Sequence, residues 1–326
     1  MQRAAFAVLM LLSAACTTPP ARIDSSRLYD PPRQALAVSV DDSLTLAAAD
    51  GRPVPLRLVY PQGEGTWPLI LFSHGMFSSN DMYMPILEHW AASGYVVAAP
   101  NHLDAKALWQ PKRNDDVEEL SASRAADLAL IMDSLDRVTA AVPALAGRVR
   151  PPPYAAAGHS MGTYIAMLQG GLRTRNPNTK AVIGYPDRRI GFIVMSSDPG
   201  KMALMPENLW TGAGVPTFMT TGTKDYGTSG KGRRPADYTM EMLPADAAAD
   251  GRRFRVLLEN GDHYYGGLVH RAPKDVAPDA EGLRIFLTLS TAFLDAFAKE
   301  DESALRYLRN VDVAAATARR ASLTVE

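Results

Sequence analysis

The chain contains a single cysteine, Cys16, in 326 residues. An intramolecular disulfide is therefore excluded, and the fold has to rest on its core. Beyond the N-terminus, no run approaches the roughly 20 uninterrupted apolar residues that a membrane-spanning helix needs. Neither sign of charge is in excess: 34 basic and 35 acidic residues give a formal net charge of -1. A nucleic-acid partner therefore has no electrostatic support. There is no glycine-rich phosphate loop, no internal repeat, no low-complexity block and no shift of composition that would mark a second domain. What the chain does have is apolar material: 47% of its residues are hydrophobic, enough for a substantial core.

The N-terminus reads as an export signal over residues 1–15. Arg3 supplies the positive charge, residues 4–12 the short apolar stretch, and Ser13, Ala14 and Ala15 the small residues suited to cleavage. Thr17, Thr18, Pro19 and Pro20 follow at once, which argues against a first core helix. Cys16, directly after the small residues, resembles the modified cysteine of a bacterial lipoprotein signal. That resemblance implies a lipidated Cys16, membrane attachment through it, and a periplasmic or outer-membrane location; plain secretion is the alternative. Residues 16–34 hold Pro19, Pro20, Pro31 and Pro32 among polar residues. They read as a tether, semi-extended at up to ~3.1 Å per residue. Residues 35–326 are expected to form one domain.

Residues 36–40 and 44–47 alternate weakly and are expected to form an opening strand pair. Residues 54–60 read as a strand with one edge proline. Residues 67–73 are a continuous apolar run, as a strand buried on both faces requires. Met82, Ile86, Leu87 and Trp90 then share one helical face, which Gly94 ends. Residues 95–100 are the next buried strand. Over residues 117–142, Leu120, Leu128, Ile131, Leu135, Val138 and Val142 fall on one helical stripe. Pro151, Pro152 and Pro153 break the chain before a short strand that runs into Gly158. After a helix and a polar loop over 173–189, strands are expected at 190–195, 215–220 and 253–258, the last of them. Helices are expected at 235–249 and 283–297. This alternation predicts an α/β domain with a mostly parallel sheet and helices on both faces. Sites in such sheets form beyond the C-terminal ends of the strands. Residues 201–217 are too few for a cap domain, so the site is expected to be open.

One of these strand ends carries Gly158-His159-Ser160-Met161-Gly162. A G-x-S-x-G turn between a strand and a helix holds its serine on a strained backbone with the hydroxyl exposed. It also leaves the Met161 amide unpaired at a helix N-terminus, where it can stabilise an oxyanion. A serine hydroxyl needs a base and the base needs a carboxylate. Of the six histidines, His89 lies within a helix and His159 adjoins the serine. His74 and His102 precede the serine in the chain, and His270 lies in a polar loop and is expected to be solvated. His263, directly after the strand at 253–258, is left as the base. Asp225, after the strand at 215–220, is the preferred acid. Asp198 is the rival, although Asp198-Pro199 also reads as plain turn chemistry. Asp262 adjoins the base and is the weakest candidate.

The order Ser160, Asp225, His263 is the chain order of the α/β-hydrolase triad. With Phe72-Ser73-His74-Gly75-Met76 and Gly158-His159-Ser160-Met161-Gly162, the body resembles the α/β-hydrolase fold. Within it the chain is similar to serine esterases of the platelet-activating-factor acetylhydrolase and dienelactone-hydrolase-like group, and more distantly to microbial polyester hydrolases. The resemblance implies that the loop after residue 73 supplies the second oxyanion amide, that of Met76. It also keeps Asp198 open, because in the acetylhydrolases the acid follows the earlier strand. Dienelactone hydrolases proper use cysteine where Ser160 stands, so lactone specificity does not carry over. The expected activity is serine-dependent hydrolysis of short-acyl or bulky carboxylic esters, with no metal or other cofactor. Phe77, Trp109, Trp210, Tyr226 and Tyr264 are the candidate lining residues. An acyltransferase or thioesterase on the same residues, or a binding protein without catalysis, are the alternatives.

Overall fold

The computed structural model describes residues 24–31, 34–106, 108, 116–176, 179–197, 214–226, 250–270 and 276–326. The segment read as an export signal, Cys16 and the helix expected at 235–249 lie outside the described residues, as do Trp109, Asp198 and Trp210.

The described strands are β1 (Val38–Ala47), β2 (Pro53–Pro61), β3 (Leu69–Ser73), β4 (Val96–Pro100), β5 (Tyr154–His159), β6 (Thr174–Arg175), β7 (Val182–Ile183), β8 (Ile190–Ser196), β9 (Thr217–Lys224), β10 (Arg253–Asp262) and β11 (Ala321–Val325). Nine of them form one sheet in the order β1-β2-β4-β3-β5-β8-β9-β10-β11, and β6 and β7 make a small separate pair. From β4 across to β10 every pairing is parallel, while β1, β2 and β11 are added antiparallel. The parallel strands β3, β4 and β5 are buried along their whole length, as their unbroken apolar runs require.

Both faces are covered by helices. On one side α2 (Val117–Asp133), α3 (Leu135–Ala141) and α4 (Met161–Gln169) pack with Leu120, Leu128, Ile131, Val138 and Ile165 in one core. On the other, α1 (Met84–Ala92), α5 (Ala280–Ala298) and α6 (Glu302–Asn310) bury Ile86, Trp90, Phe286 and Phe293. A short α7 (Val313–Ala316) leads into β11. Helix starts are capped as their sequences suggest: Asp116 accepts from the Glu118 and Glu119 amides, and Asp279 accepts from the Gly282 amide. This is the α/β-hydrolase fold.

Five sequence expectations change. Residues 38–47 are one strand with a register shift between Asp41 and Leu44, not a pair; its partner is β2. β2 is not an edge strand. Pro53 and Pro55 stand at its start, before its ladder with β4 opens at Leu56↔Pro100, so neither blocks that pairing. The stripe over 117–142 is two helices, broken at Ser134, whose backbone leaves the helical region at φ -103. β10 is not the last strand, because β11 pairs beside it from Phe254↔Val325 to Leu258↔Ala321. The final part of the tether is not free: Leu28 and Tyr29 pack on the second core, and Tyr29 Oη donates to Asp295 at 2.9 Å.

Candidate active site

The strands β3, β5, β8, β9 and β10 end at Ser73, His159, Ser196, Lys224 and Asp262. The next residue in each case carries polar chemistry: His74, Ser160, Ser197, Asp225 and His263. The parallel sheet therefore collects these groups at one end.

Ser160 sits between β5 and α4 with φ 54 and ψ -116, a strained conformation that costs of order 1–3 kcal/mol. Its surroundings impose it. A Cβ on Gly158 would overlap the Gly162 backbone, and one on Gly162 would overlap the Ser73 carbonyl oxygen. The Ser160 amide donates to the carbonyls of Ser197 at 3.1 Å and Ser196 at 3.3 Å, which ties the turn to the end of β8. Ser160 remains 8% exposed.

His263 and Asp225 come together through strand register. After a shift beyond Leu258, Asp262 pairs with Lys224, so the next residues on the two strands face each other. Gly222 and Gly261 allow that approach, since a Cβ on Gly222 would overlap the Gly261 carbonyl. His263 Nδ1 lies 2.7 Å from Asp225 Oδ1, and both side chains are buried. Nδ1–H therefore donates to the carboxylate, and Nε2 carries the lone pair. That Nε2 is buried with no hydrogen-bond partner among the described residues. Asp225 also accepts from Thr221 Oγ1 at 3.3 Å. Asp262 stiffens the turn instead, its Oδ1 accepting from the amides of Tyr264 and Gly266 at 2.7 and 2.9 Å.

His159 points away from the serine and joins two loops. The Gly75 amide donates to Tyr83 Oη at 3.0 Å, Tyr83 Oη donates to His159 Nδ1 at 3.0 Å, and His159 Nε2 donates to the His263 carbonyl at 2.7 Å. Burial first, and the nearby His263 second, hold the pKa of His159 well below the usual histidine value, so it stays neutral. His270 is half-buried rather than solvated, with Nε2 3.2 Å from the Met76 carbonyl. That carbonyl draws the ring in from the loop.

At this end of the sheet the amides of Met76 and Met161 make no hydrogen bond to a described residue. Met161 opens α4, and Met76 lies in the turn after β3. Of the candidate lining residues, Phe77 and Tyr226 are exposed, at 40% and 42%. Tyr264 is buried, with its ring edge-on to His263, centroids 4.9 Å apart at 85°. Asp198, Trp109 and Trp210, outside the described residues, are not placed.

A hydrogen-bonded Ser–His–Asp chain lies in the interior. Ser73 Oγ is 2.9 Å from His102 Nε2, and His102 Nδ1 is 2.9 Å from Asp127. Chain order does not reveal it, because His102 meets Ser73 and Asp127 only in the tertiary structure. It cannot serve a substrate, because Ser73 and His102 are fully enclosed and Ser73 lies on an ordinary buried strand. Exposure and backbone strain, not residue types, separate Ser160 from Ser73.

Among protein families, the one described as Chlorophyllase matches residues 33–184. That range includes Met76 and Ser160 and stops before the strands that carry Asp225 and His263. The chain is 42% identical over 48 residues to Chlorophyllase-1 of Arabidopsis thaliana and 48% identical over 48 residues to the chloroplastic Chlorophyllase-1 of Citrus sinensis. It is 30% identical over 66 residues to Chlorophyllase type 0 of Chenopodium album. The matched stretch spans 15% of this chain and of each of the first two relatives, and 20% of this chain and 19% of the third. The two sequence motifs resemble other esterases of the same fold, and these matches add the chlorophyllases to that set.

Proposed function

We propose that this α/β-hydrolase is a serine carboxylester hydrolase that works through an acyl-enzyme. The observation that carries the proposal is the Asp225–His263 pair, which leaves a buried, unpartnered Nε2 at the same sheet end as the strained Ser160. In the first half-reaction, His263 Nε2 takes the proton of Ser160 Oγ as the oxygen attacks the ester carbonyl carbon. The carbonyl electron pair moves onto oxygen, and the amides of Met161 and Met76 hold the resulting oxyanion. Collapse expels the alcohol oxygen, which leaves with the proton from Nε2. Water then repeats the sequence on the acyl-enzyme, releasing the acid and restoring Ser160.

Phe77 and Tyr226 offer exposed aromatic surface, which suits a bulky ester. The names of the similar proteins supply chlorophyll as one bulky ester to test. Export, with lipidation at Cys16, belongs to the same proposal and rests on the N-terminal sequence alone.

Hydrolysis of p-nitrophenyl acetate, butyrate and octanoate, and of chlorophyll, tests the reading. Asp225→Asn is expected to lower kcat by roughly 10⁴-fold, because Asn at that place favours the wrong imidazole tautomer. An Asp225→Asn protein that kept wild-type turnover would remove Asp225 from the mechanism. A folded wild-type chain inert on all four esters would reject esterase activity on this substrate class.

A further inference from the structure

Arg124 lies on α2 with no exposed surface, and Asp104 beside it has none. Neither takes part in the chemistry above. Arg124 uses all five of its N–H donors. Nε and one Nη2 hydrogen go to Asp104, at 3.0 and 2.6 Å. The Nη1 pair goes to Ser73 Oγ at 3.2 Å and to the His74 carbonyl, and the second Nη2 hydrogen goes to the Gly75 carbonyl at 3.2 Å. His74 Nδ1, at 2.7 Å, and the Ser78 amide, at 3.2 Å, also donate to the Gly75 carbonyl. Asp104 completes the set by accepting from the Phe77 amide at 3.0 Å.

These bonds dictate the direction of one amide. The Gly75 carbonyl and the Met76 N–H belong to a single planar trans peptide and point opposite ways. With the carbonyl held inward by Arg124, the Met76 N–H must point outward, where no described residue meets it. The next peptide is fixed in the reverse sense. Its N–H, that of Phe77, is held inward by Asp104, and its carbonyl, that of Met76, points out to His270 Nε2.

We propose that the buried Arg124–Asp104 pair is the positioning device of the oxyanion loop, turning the Met76 N–H toward the reacting carbonyl. Arg124 touches no substrate; it acts through residues 74–77. The proposal rests on the serine-hydrolase reading for its catalytic consequence, though the holding of the loop does not depend on turnover.

Arg124→Lys is the informative variant. It keeps a positive charge against Asp104 but lacks the planar fork needed to reach Asp104 and two carbonyls together. Loss of one oxyanion donor typically costs roughly 10²–10³-fold in kcat. The expected result is a fall in kcat within that range, with KM changed by less than about threefold, because the oxyanion exists only in the transition state. A purely structural role would be rescued by the retained charge, and the folded protein would keep its kcat. That result would overturn the proposal.

If Arg124→Lys does not fold, the double variant Arg124→Met/Asp104→Asn replaces it, because it leaves no unpaired buried charge. The same loss of kcat is expected there. Hydrogen exchange at the amides of Gly75, Phe77 and Ser78 is read on the same samples and needs no activity. Faster exchange confined to this loop supports the holding role, and unchanged exchange rejects it. An inert wild-type protein would sink the esterase reading alone, with the exchange result still deciding whether the pair holds the loop.

Discussion

Ser160→Ala is expected to lower ester hydrolysis by about 10⁶-fold, the loss found when a triad serine is removed. The expectation follows from what the variant keeps as much as from what it loses. The strained turn is enforced by the contacts of Gly158 and Gly162 and by the Ser160 amide bonded to Ser196 and Ser197. None of these involves the hydroxyl. Alanine can therefore occupy the same backbone, and the melting temperature should stay within a few degrees of wild type. The residual rate should reflect only substrate binding and the two amides. Kinetics on p-nitrophenyl butyrate beside a thermal melt decides it. A variant that melts normally and retains a tenth of the wild-type kcat would mean that another group carries the reaction.

Gly162→Ala is expected to be the most damaging single methyl in the described part of the chain. Its Cβ would overlap the Ser73 carbonyl oxygen, a backbone atom at the end of β3. Relief would require α4 to move away from β3. All nine residues of α4 are buried, between the sheet and α2, so no free side is available for that movement. Losses above about 4 kcal/mol are reserved for defects of this kind, and the variant should fail to reach a folded state or melt far below wild type. Gly214→Ala is the matched control. Among the described residues nothing lies within 4 Å of its Cβ position, so its stability should change by no more than about 0.5 kcal/mol. Urea unfolding of both proteins provides the comparison. Equal midpoints for Gly162→Ala and wild type would show that the turn is looser than the packing of Gly158, Gly162 and Ser73 implies.

The parts of the fold that were legible in the sequence are those where burial on both faces leaves an unbroken apolar run, as in β3, β4 and β5. G-x-S-x-G was equally legible, because close backbone approach permits only glycine at two of its positions. What was not legible depends on distant partners. β11 escapes notice because Ala321-Ser-Leu-Thr-Val325 is short and follows a helix that looks terminal. Whether Asp225 can reach His263 is set by the register shift after Leu258 and the Gly222–Gly261 approach, neither of which appears as periodicity. The docking of Tyr29 on Asp295 was hidden by the prolines around it.

The interior polar network left a trace that went unread. Arg124 falls four residues after Leu120 and four before Leu128, on the apolar stripe of α2. An arginine on a buried face has to be paired and hydrogen-bonded there, so its position already called for an acidic partner. Which partner, and that it would be Asp104 from the loop after β4, needed the tertiary structure. His74 and His102 follow the same logic. Burial lowers the pKa of both, with the Arg124 charge acting in the same direction, so they serve as neutral hydrogen-bonding groups and not as bases.

The most direct test of the central claim is reaction of the intact chain with diethyl p-nitrophenyl phosphate, read by mass spectrometry and peptide mapping. An activated serine attacks phosphorus and expels p-nitrophenolate, leaving one diethylphosphoryl group on its oxygen. The account predicts one such group per chain, on the peptide containing Ser160, and none on Ser160→Ala. A label on any other residue, or an unlabelled wild-type chain that still hydrolyses esters, would contradict it.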